Sequence, residues 1–404
     1  MASDSLAALR FAEYRAYLGA MAAVFTATQI QTAVLGWQVY DLTGDPLALG
    51  FVGLAEAVPF LSLTLLGGWA SDRVDRRLVS LASLLLIAGS GAWLLAWSAA
   101  PGPSPLPLYG AQALAGLGRA FFRPAAASLG TELIPREQYQ NAATWRSSIF
   151  HTTMIVGPAT GGALIAIGGP RLAYAVEMGL LGVGLAALLA VRPRPRPPAP
   201  RRHPLAEIAD GVRFVFREPL LLGPLSLDLF AVLFGGATAL LPVFARDVLH
   251  VGEVGFGILR AAPAVGSVAT SLALTRLGHF ERAGRALLGC VALFGVTWIL
   301  FALSRWYWLS AALLVAGGAL DAVSVVLRST LVQTYTPQEM MGRVSSVNSL
   351  FIGSSNELGA FESGLAARIL GTVPSVVFGG TMTLLTVALV AWRAPRLRRL
   401  GRIA

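Results

Sequence analysis

Long apolar runs recur along the whole chain and are separated by short polar or Gly/Pro-rich segments. About 20 apolar residues at a rise of 1.5 Å per residue cross the hydrocarbon of a bilayer. Runs of this length predict an all-α integral membrane protein with twelve transmembrane helices, at about residues 16–40, 47–70, 78–99, 106–130, 142–168, 171–191, 220–245, 252–276, 286–303, 308–332, 344–370 and 374–392.

One break between the apolar runs, residues 192–219, is longer than the others. It begins with alternating Arg and Pro, which favours a stiff, extended chain. Its last part, Pro204–Arg217, has apolar residues at helical spacing and predicts an amphipathic helix at the membrane interface. We therefore expect three parts: an N-terminal six-helix bundle (1–191), a cytoplasmic linker (192–219) and a C-terminal six-helix bundle (220–404).

The composition agrees with a membrane location. Charged residues make up only 13% of the chain, whereas soluble domains carry about 25%. The net charge is +10, and every basic residue is an arginine. In the predicted topology, 22 of the 31 arginines lie on one side and three on the other. This asymmetry predicts that both termini are cytoplasmic, and it explains the charge better than nucleic-acid binding does.

The two predicted bundles match each other at an offset of 202 residues. The corresponding pairs are Gly50/Gly252, Gly53/Gly255, Gly116/Gly318, Pro135/Pro337, Glu137/Glu339, Gly157/Gly359, Gly162/Gly364 and Gly169/Gly371. A single offset that relates this many positions favours an internal duplication. Repeats of this kind place the substrate at their interface near the midplane of the membrane.

The segment from Gly68 to Arg77 follows the second predicted helix and has the sequence GWASDRVDRR. It resembles the loop signature of the major facilitator superfamily, in which glycine occupies the position of Asp75. The resemblance implies a conformational gate formed by Gly68, Asp72, Arg73, Arg76 and Arg77. A solvated run of charges remains the alternative interpretation.

The fifth predicted helix contains Gly157, Pro158, Gly161 and Gly162. These residues resemble the core of the antiporter motif of drug–proton exchangers in the same superfamily, although Thr153 replaces an expected glycine. A proline kinks a helix and glycines permit close helix contact. Ordinary small-residue packing is the alternative interpretation.

Several segments along the chain indicate a particular branch of this superfamily. The segments 41–50, 72–77, 241–245 and 342–344 together resemble the enterobactin-exporter branch, and the resemblance runs from about residue 11 to 392. It implies the major facilitator fold, transport of a small molecule by alternating access, and the inner membrane of a bacterium.

Ionisable residues within membrane helices are costly and mark functional sites by default. We expect proton coupling to involve Glu56, Asp228 and Asp321. Candidates for the substrate cavity are Gln29, Gln31, Arg119, Arg123, Arg260, Arg328 and Glu357. Arg119 and Asp321 have similar predicted depths and are related by the 202-residue offset, which predicts an opposed pair across the cavity; a structural salt bridge is the alternative.

We therefore expect a proton-coupled exporter of small amphipathic molecules, siderophore-like or drug-like. An importer of a small organic solute or a lipid translocator of the same fold is the alternative. A membrane enzyme is disfavoured because the sequence has no phosphate-binding loop and its four histidines have no zinc-type spacing. The expected partners are a substrate, protons and the bilayer. No cofactor, metal or nucleic acid is expected, and the protein is expected to be a monomer.

Overall fold

Long helices form almost all of the protein. The computed structural model describes residues 6–192, 204–235, 237–277, 281–338 and 340–401, and no strand occurs within these ranges. The long helices are α1 (Ala12–Thr43), α2 (Pro46–Arg73), α3 (Arg76–Trp97), α4 (Leu106–Glu132), α5 (Tyr139–Leu189), α6 (Pro204–Arg217), α7 (Pro219–Gly235), α8 (Gly252–Leu277), α9 (Ala283–Leu303), α10 (Tyr307–Tyr335), α11 (Met341–Leu370) and α12 (Thr372–Arg393). Short helical turns over Ala237–Leu240, Leu241–Val243 and Phe244–Val248 continue α7.

Each predicted apolar run coincides with a helix. The runs at 142–168 and 171–191 both lie within α5, which is interrupted by non-helical backbone at Gly168 and Gly169. Gly169 has a φ of +71°, a conformation that only glycine adopts at little cost. Pro170 then starts the second part of α5, because proline is favourable at the first position of a helix.

Nine helical stretches within the described residues are long and apolar enough to cross a membrane. One of them, Arg136–Leu189, contains the break at Gly168 and Gly169. Helices α4 and α11 are not among the nine, and both carry ionisable residues in their middle parts. The number twelve therefore remains a prediction.

The protein divides into two compact units. Unit 1 comprises the described residues within Met1–Thr43, Ala55–Arg201 and Glu253–Gly257, and unit 2 comprises those within Gly44–Leu54, Arg202–Gly252 and Ile258–Ala404. A large core of unit 1 joins α1, α3, α4 and α5 around the fully buried rings of Tyr14 and Tyr17. A core of unit 2 joins α7, α9 and α10. The sequence-based boundaries at 191 and 220 remain predictions.

Helix α6 has the bounds that its apolar spacing predicts. Val215 is completely buried and packs in a cluster with Leu221 of α7, Val332 of α10 and Val344 of α11. The apolar face of this helix is thus covered in part by other helices of unit 2. Most of the preceding Arg/Pro-rich segment, residues 193–203, lies outside the described residues.

Candidate functional site

A buried ion pair lies at the centre of a polar network in unit 1. Arg119 of α4 donates from Nη1 to Oε1 of Glu56 on α2, and both side chains are 11% exposed. The second oxygen of Glu56 accepts a hydrogen bond from Gln112 Nε2 at 2.5 Å. Arg119 Nη2 also donates to Gln31 Oε1 on α1 at 3.2 Å. Gln31 in turn donates to Ser90 Oγ on α3 at 2.8 Å, so four helices contribute to the network.

A second carboxyl group of unit 1 lies close to this network. Glu177, in the second part of α5, is 0% exposed, and neither of its oxygens accepts a hydrogen bond from the described residues. The carboxyl group lies against the backbone of Gly91 on α3, where a Cβ atom would be 2.9 Å from Glu177 Oε1. Arg119 attracts this carboxylate electrostatically. Glu177 is not among the residues that the sequence predicted as a site, although its position within the apolar run 171–191 is a signal that could have indicated it.

Unit 2 contains a second buried ion pair. Arg328 of α10 donates from Nη1 to Oδ2 of Asp228 on α7, and both side chains are 8% exposed. Arg328 Nε also donates to the backbone oxygen of Ser324 at 3.3 Å, one turn earlier on its own helix. The two buried arginines therefore each neutralise a carboxylate on a neighbouring helix.

Asp321 lies beside this pair, two turns before Arg328 on α10. It lines a small cavity together with Asp228, Ser324, Cys290 and Phe294. Within the described residues, Asp321 makes no hydrogen bond or ion pair. It is thus an acid that faces a cavity without a neutralising partner.

The structure gives Arg119 a different ionic partner from the one predicted. Sequence reasoning placed Arg119 opposite Asp321, whereas Arg119 binds Glu56 within unit 1. Depth along a helix can be estimated from the ends of an apolar run, but the direction in which a side chain points depends on how the helices pack.

The other cavity candidates have varied surroundings. The side-chain amide of Gln29 contacts the sulfur of Met154, whereas Gln31 is part of the polar network. Arg123 is exposed, and its guanidinium lies 5.3 Å from the ring centre of Phe60. Arg260 on α8 is half-buried. The side chain of Glu357 lies outside the described residues. A role for these residues in binding substrate remains a prediction.

The loop between α2 and α3 shows why Asp75 can replace glycine. Asp75 has a φ of −53°, which does not require glycine, and it caps α3. Its carboxylate accepts hydrogen bonds from the backbone N–H groups of Arg77 at 2.7 Å and Leu78 at 3.2 Å. The departure from the superfamily pattern therefore supplies an N-terminal cap.

The arginines of this loop attach it to unit 1. Arg76 forms an ion pair with Glu132 at the end of α4, with an N–O distance of 2.7 Å. Arg77 donates to the backbone oxygens of Leu188 and Leu189 at the end of α5. Arg73 lies over the ring of Trp69, and Asp72 is exposed. A Cβ atom at Gly68 would meet no other atom within 4 Å. The gating role of these residues remains a prediction.

Asp75→Ala is expected to lower the free energy of unfolding by about 1 kcal/mol because the first turn of α3 loses its cap. Asp75→Gly restores the residue of the superfamily pattern and should cost only a few tenths of that energy. Thermal unfolding of the purified protein in detergent compares the two variants. Equal melting temperatures for the wild type and Asp75→Ala would show that the cap does not contribute to stability.

The glycines of the antiporter-like motif lie in close helix contacts of unit 1. A Cβ atom at Gly157 would be 2.4 Å from Gln29 Cβ on α1. At Gly162 it would be 2.4 Å from the backbone oxygen of Glu253 and 2.9 Å from the Cα atom of Gly257, at the start of α8. A Cβ atom at Gly161 would be 3.5 Å from the side chain of Ala33, and Pro158 lies within α5. These contacts agree with the packing interpretation, and an antiporter role remains a prediction.

The duplicated positions in unit 2 make similar contacts. A Cβ atom at Gly359 would be 3.0 Å from the backbone oxygen of Leu233 on α7. At Gly364 it would be 2.8 Å from the backbone oxygen of Pro46 and 2.9 Å from the Cα atom of Gly50. The 202-residue offset thus relates positions that require glycine for the same reason in both units.

Apolar helices long enough to cross a bilayer, with two buried ion pairs among the described residues, indicate an α-helical membrane protein. Sequence comparison matches residues 17–360 to the Major Facilitator Superfamily. The chain belongs to this superfamily, and it is therefore a multi-pass membrane transporter of small-molecule substrates.

Similar proteins agree with this membership. The enterobactin exporter EntS of Citrobacter koseri is 29% identical to this chain, and the alignment covers 93% of this chain and 94% of the relative. The enterobactin exporter EntS of Shigella boydii is also 29% identical, over 94% of this chain and 93% of the relative. These matches confirm the resemblance to the enterobactin-exporter branch.

Solved structures of transporters share the fold. A POT family transporter in complex with 5-aminolevulinic acid has a TM-score of 0.78 at 12% identity, over 95% of this chain and 96% of that protein. The POT family transporter PepTSo has a TM-score of 0.75 at 15% identity, over 96% of this chain and 98% of that protein. At this level of identity the similarity shows the fold alone.

Proposed function

We propose that the protein is a proton-coupled secondary transporter that exports small amphipathic molecules, siderophore-like or drug-like, from the cytoplasm by alternating access. The observation that carries the proposal is Asp321, an acid that faces a cavity beside the Asp228–Arg328 ion pair. Ionisable residues within membrane helices mark ion pathways and proton relays. The similarity to enterobactin exporters over nearly the whole chain supports the direction and the substrate class.

Asp321 supplies the exchange of charge that coupling requires. Asp228 already balances the charge of Arg328, so a proton on Asp321 leaves the cavity neutral and its loss adds one negative charge. A substrate that competes with the proton, or that binds only one of the two charge states, then links its own movement to that of the proton. The differential affinity of a ligand for two states is what shifts an equilibrium between them.

Transport in everted membrane vesicles tests this function. We expect enterobactin or a lipophilic dye to accumulate in the vesicles when their interior is acidified, because everted vesicles reverse the direction of export. Accumulation should stop when a protonophore removes the gradient. Accumulation only in right-side-out vesicles would favour an importer, and accumulation that is independent of the gradient would exclude proton coupling.

We also propose that the protein lies in the inner membrane of a bacterium with both termini and the linker in the cytoplasm. The distribution of arginines supports this orientation. Single cysteines at Gly102, in the connection between α3 and α4, and at Ala199, which lies outside the described residues, are expected to react with an impermeant reagent from opposite sides. The background is Cys290→Ser, because Cys290 is the only cysteine. Labelling of both sites from one side would contradict the proposed topology.

A further inference from the structure

We infer that Glu177 is a second proton-binding carboxyl group, located in unit 1, and that it holds its proton while Arg119 is bound to Glu56. The inference rests on the proposed proton coupling only for its consequence in transport. Its basis is geometric: Glu177 is completely buried, and neither oxygen accepts a hydrogen bond from the described residues.

The charges of the buried cluster lead to this assignment. Glu56 is bound to the guanidinium of Arg119, and Glu177 interacts with the same guanidinium electrostatically but forms no hydrogen bond with it. If both were ionised, the cluster would carry one uncompensated negative charge in the buried interior, which is strongly unfavourable. One bound proton makes the cluster neutral.

Hydrogen bonding decides which acid holds the proton. Glu56 accepts from Arg119 and from Gln112, and both bonds favour its ionised form. Glu177 receives no such bond within the described residues. The proton therefore belongs to Glu177 in this arrangement, and it would move to Glu56 if Arg119 turned towards Glu177.

The other groups placed next to Glu177 are neutral. Helix α3 contributes the backbone of Gly91 and, one residue earlier, Ser90, whose hydroxyl already binds Gln31. Helix α5 itself contributes Tyr174, one turn before Glu177. The acid thus faces only one cation within this set, and that cation is already bound to Glu56.

A line of polar side chains connects the site with one end of unit 1. The hydroxyl group of Tyr174 donates to Gln38 Oε1 on α1 at 2.8 Å. Gln38 Nε2 donates to Ser98 Oγ at 3.4 Å, where α3 ends. Ser98 is half-buried and precedes the connection to α4. These groups mark the side from which a proton reaches Glu177.

The buried clusters of the two units therefore have the same balance of charges: each has two acids for one arginine. The buried cluster of unit 1 combines Arg119 with Glu56 and Glu177, and the buried cluster of unit 2 combines Arg328 with Asp228 and Asp321. In each unit one acid is bound to the arginine, and the other needs a proton for neutrality. We thus assign one proton-binding acid to each unit.

Infrared difference spectroscopy tests whether Glu177 holds a proton, and it does not depend on a measurement of transport. The purified protein in lipid nanodiscs at neutral pH is expected to show the C=O stretching band of a buried carboxylic acid, and Glu177→Gln should lose intensity in that band. Glu281→Gln serves as the matched control, because Glu281 is exposed, and it should leave the band unchanged. An identical band in the wild type and Glu177→Gln would overturn the assignment.

Folding of the variants provides a second criterion. Glu177→Gln and Glu177→Met replace a neutral acid by neutral side chains of similar length, so both should accumulate at the wild-type level. Failure of both variants to fold would mean that the ionised carboxylate is required, which would also overturn the assignment.

The transport consequence is measured separately in proteoliposomes. If both acids cycle, Glu177→Gln should lower the ratio of protons to substrate about twofold, because one of the two neutralising protons is removed. An unchanged ratio would overturn the role of Glu177 in coupling. A wild-type protein that shows no proton flux would instead refute the proposed function, while the infrared result would still decide whether Glu177 holds a proton.

Discussion

Asp321→Asn is expected to abolish transport driven by a pH gradient, while exchange of substrate at equal pH continues. Asparagine has nearly the same shape as aspartate but cannot lose a proton, so the cavity beside Asp228 and Arg328 would keep a constant charge. Because Asp321 has no hydrogen bond or ion pair within the described residues, the change should leave the fold intact. Substrate flux in proteoliposomes, with and without a gradient and at matched protein levels, measures both activities.

The control for this prediction is Glu281→Gln, which neutralises an exposed acid of unit 2 and should retain both activities. A merely structural Asp321 would behave differently, because its substitution would reduce the protein level and both transport modes together. Full gradient-driven transport by Asp321→Asn would remove Asp321 from the coupling mechanism and leave Glu177 as the principal candidate.

Asp228→Asn is expected to lower the free energy of unfolding by about 3–5 kcal/mol, because it leaves the guanidinium of Arg328 buried without a counter-charge. Glu56→Gln should have an effect in the same range through Arg119. Both pairs are almost fully buried, so water cannot replace the missing carboxylate. Thermal unfolding in detergent and the amount of protein in the membrane measure the loss.

A double variant distinguishes this effect from a direct role in proton transfer. Asp228→Leu combined with Arg328→Leu removes both charges, and replacing a buried ion pair by apolar residues is often neutral for stability. We expect the double variant to recover most of the stability lost in Asp228→Asn. A double variant as unstable as the single one would show that the pair contributes more than mutual neutralisation.

The positions of the helices could be predicted from the sequence because the membrane imposes a length on every apolar run. Helix α6 even has the bounds that its apolar spacing predicts. The break at Gly168 and Gly169 could also be predicted from the sequence, since two apolar runs that are each long enough to cross the membrane meet there.

The partners of the ionisable residues could not be predicted in the same way. Arg119 could be recognised as an ionisable residue within an apolar run, but its contact with Glu56 depends on the packing of α2 against α4. Glu177 could be recognised only as an ionisable residue within an apolar run, because its surroundings depend on Gly91 and Arg119, which are far away in the chain. Asp75 could be recognised as a departure from the superfamily pattern, but only its backbone geometry revealed that it caps a helix.

The shortness of certain connections limits how the protein can be engineered. In unit 1, α3 and α4 are joined by residues 98–105, and the two parts of α5 are joined only by Gly168 and Gly169. In unit 2, residues 304–306 join α9 to α10, and Gly371 alone separates α11 from α12. An epitope tag or a fluorescent domain inserted at the shorter connections would pull apart helix ends, so residues 101–104 are the most suitable insertion point among these four connections.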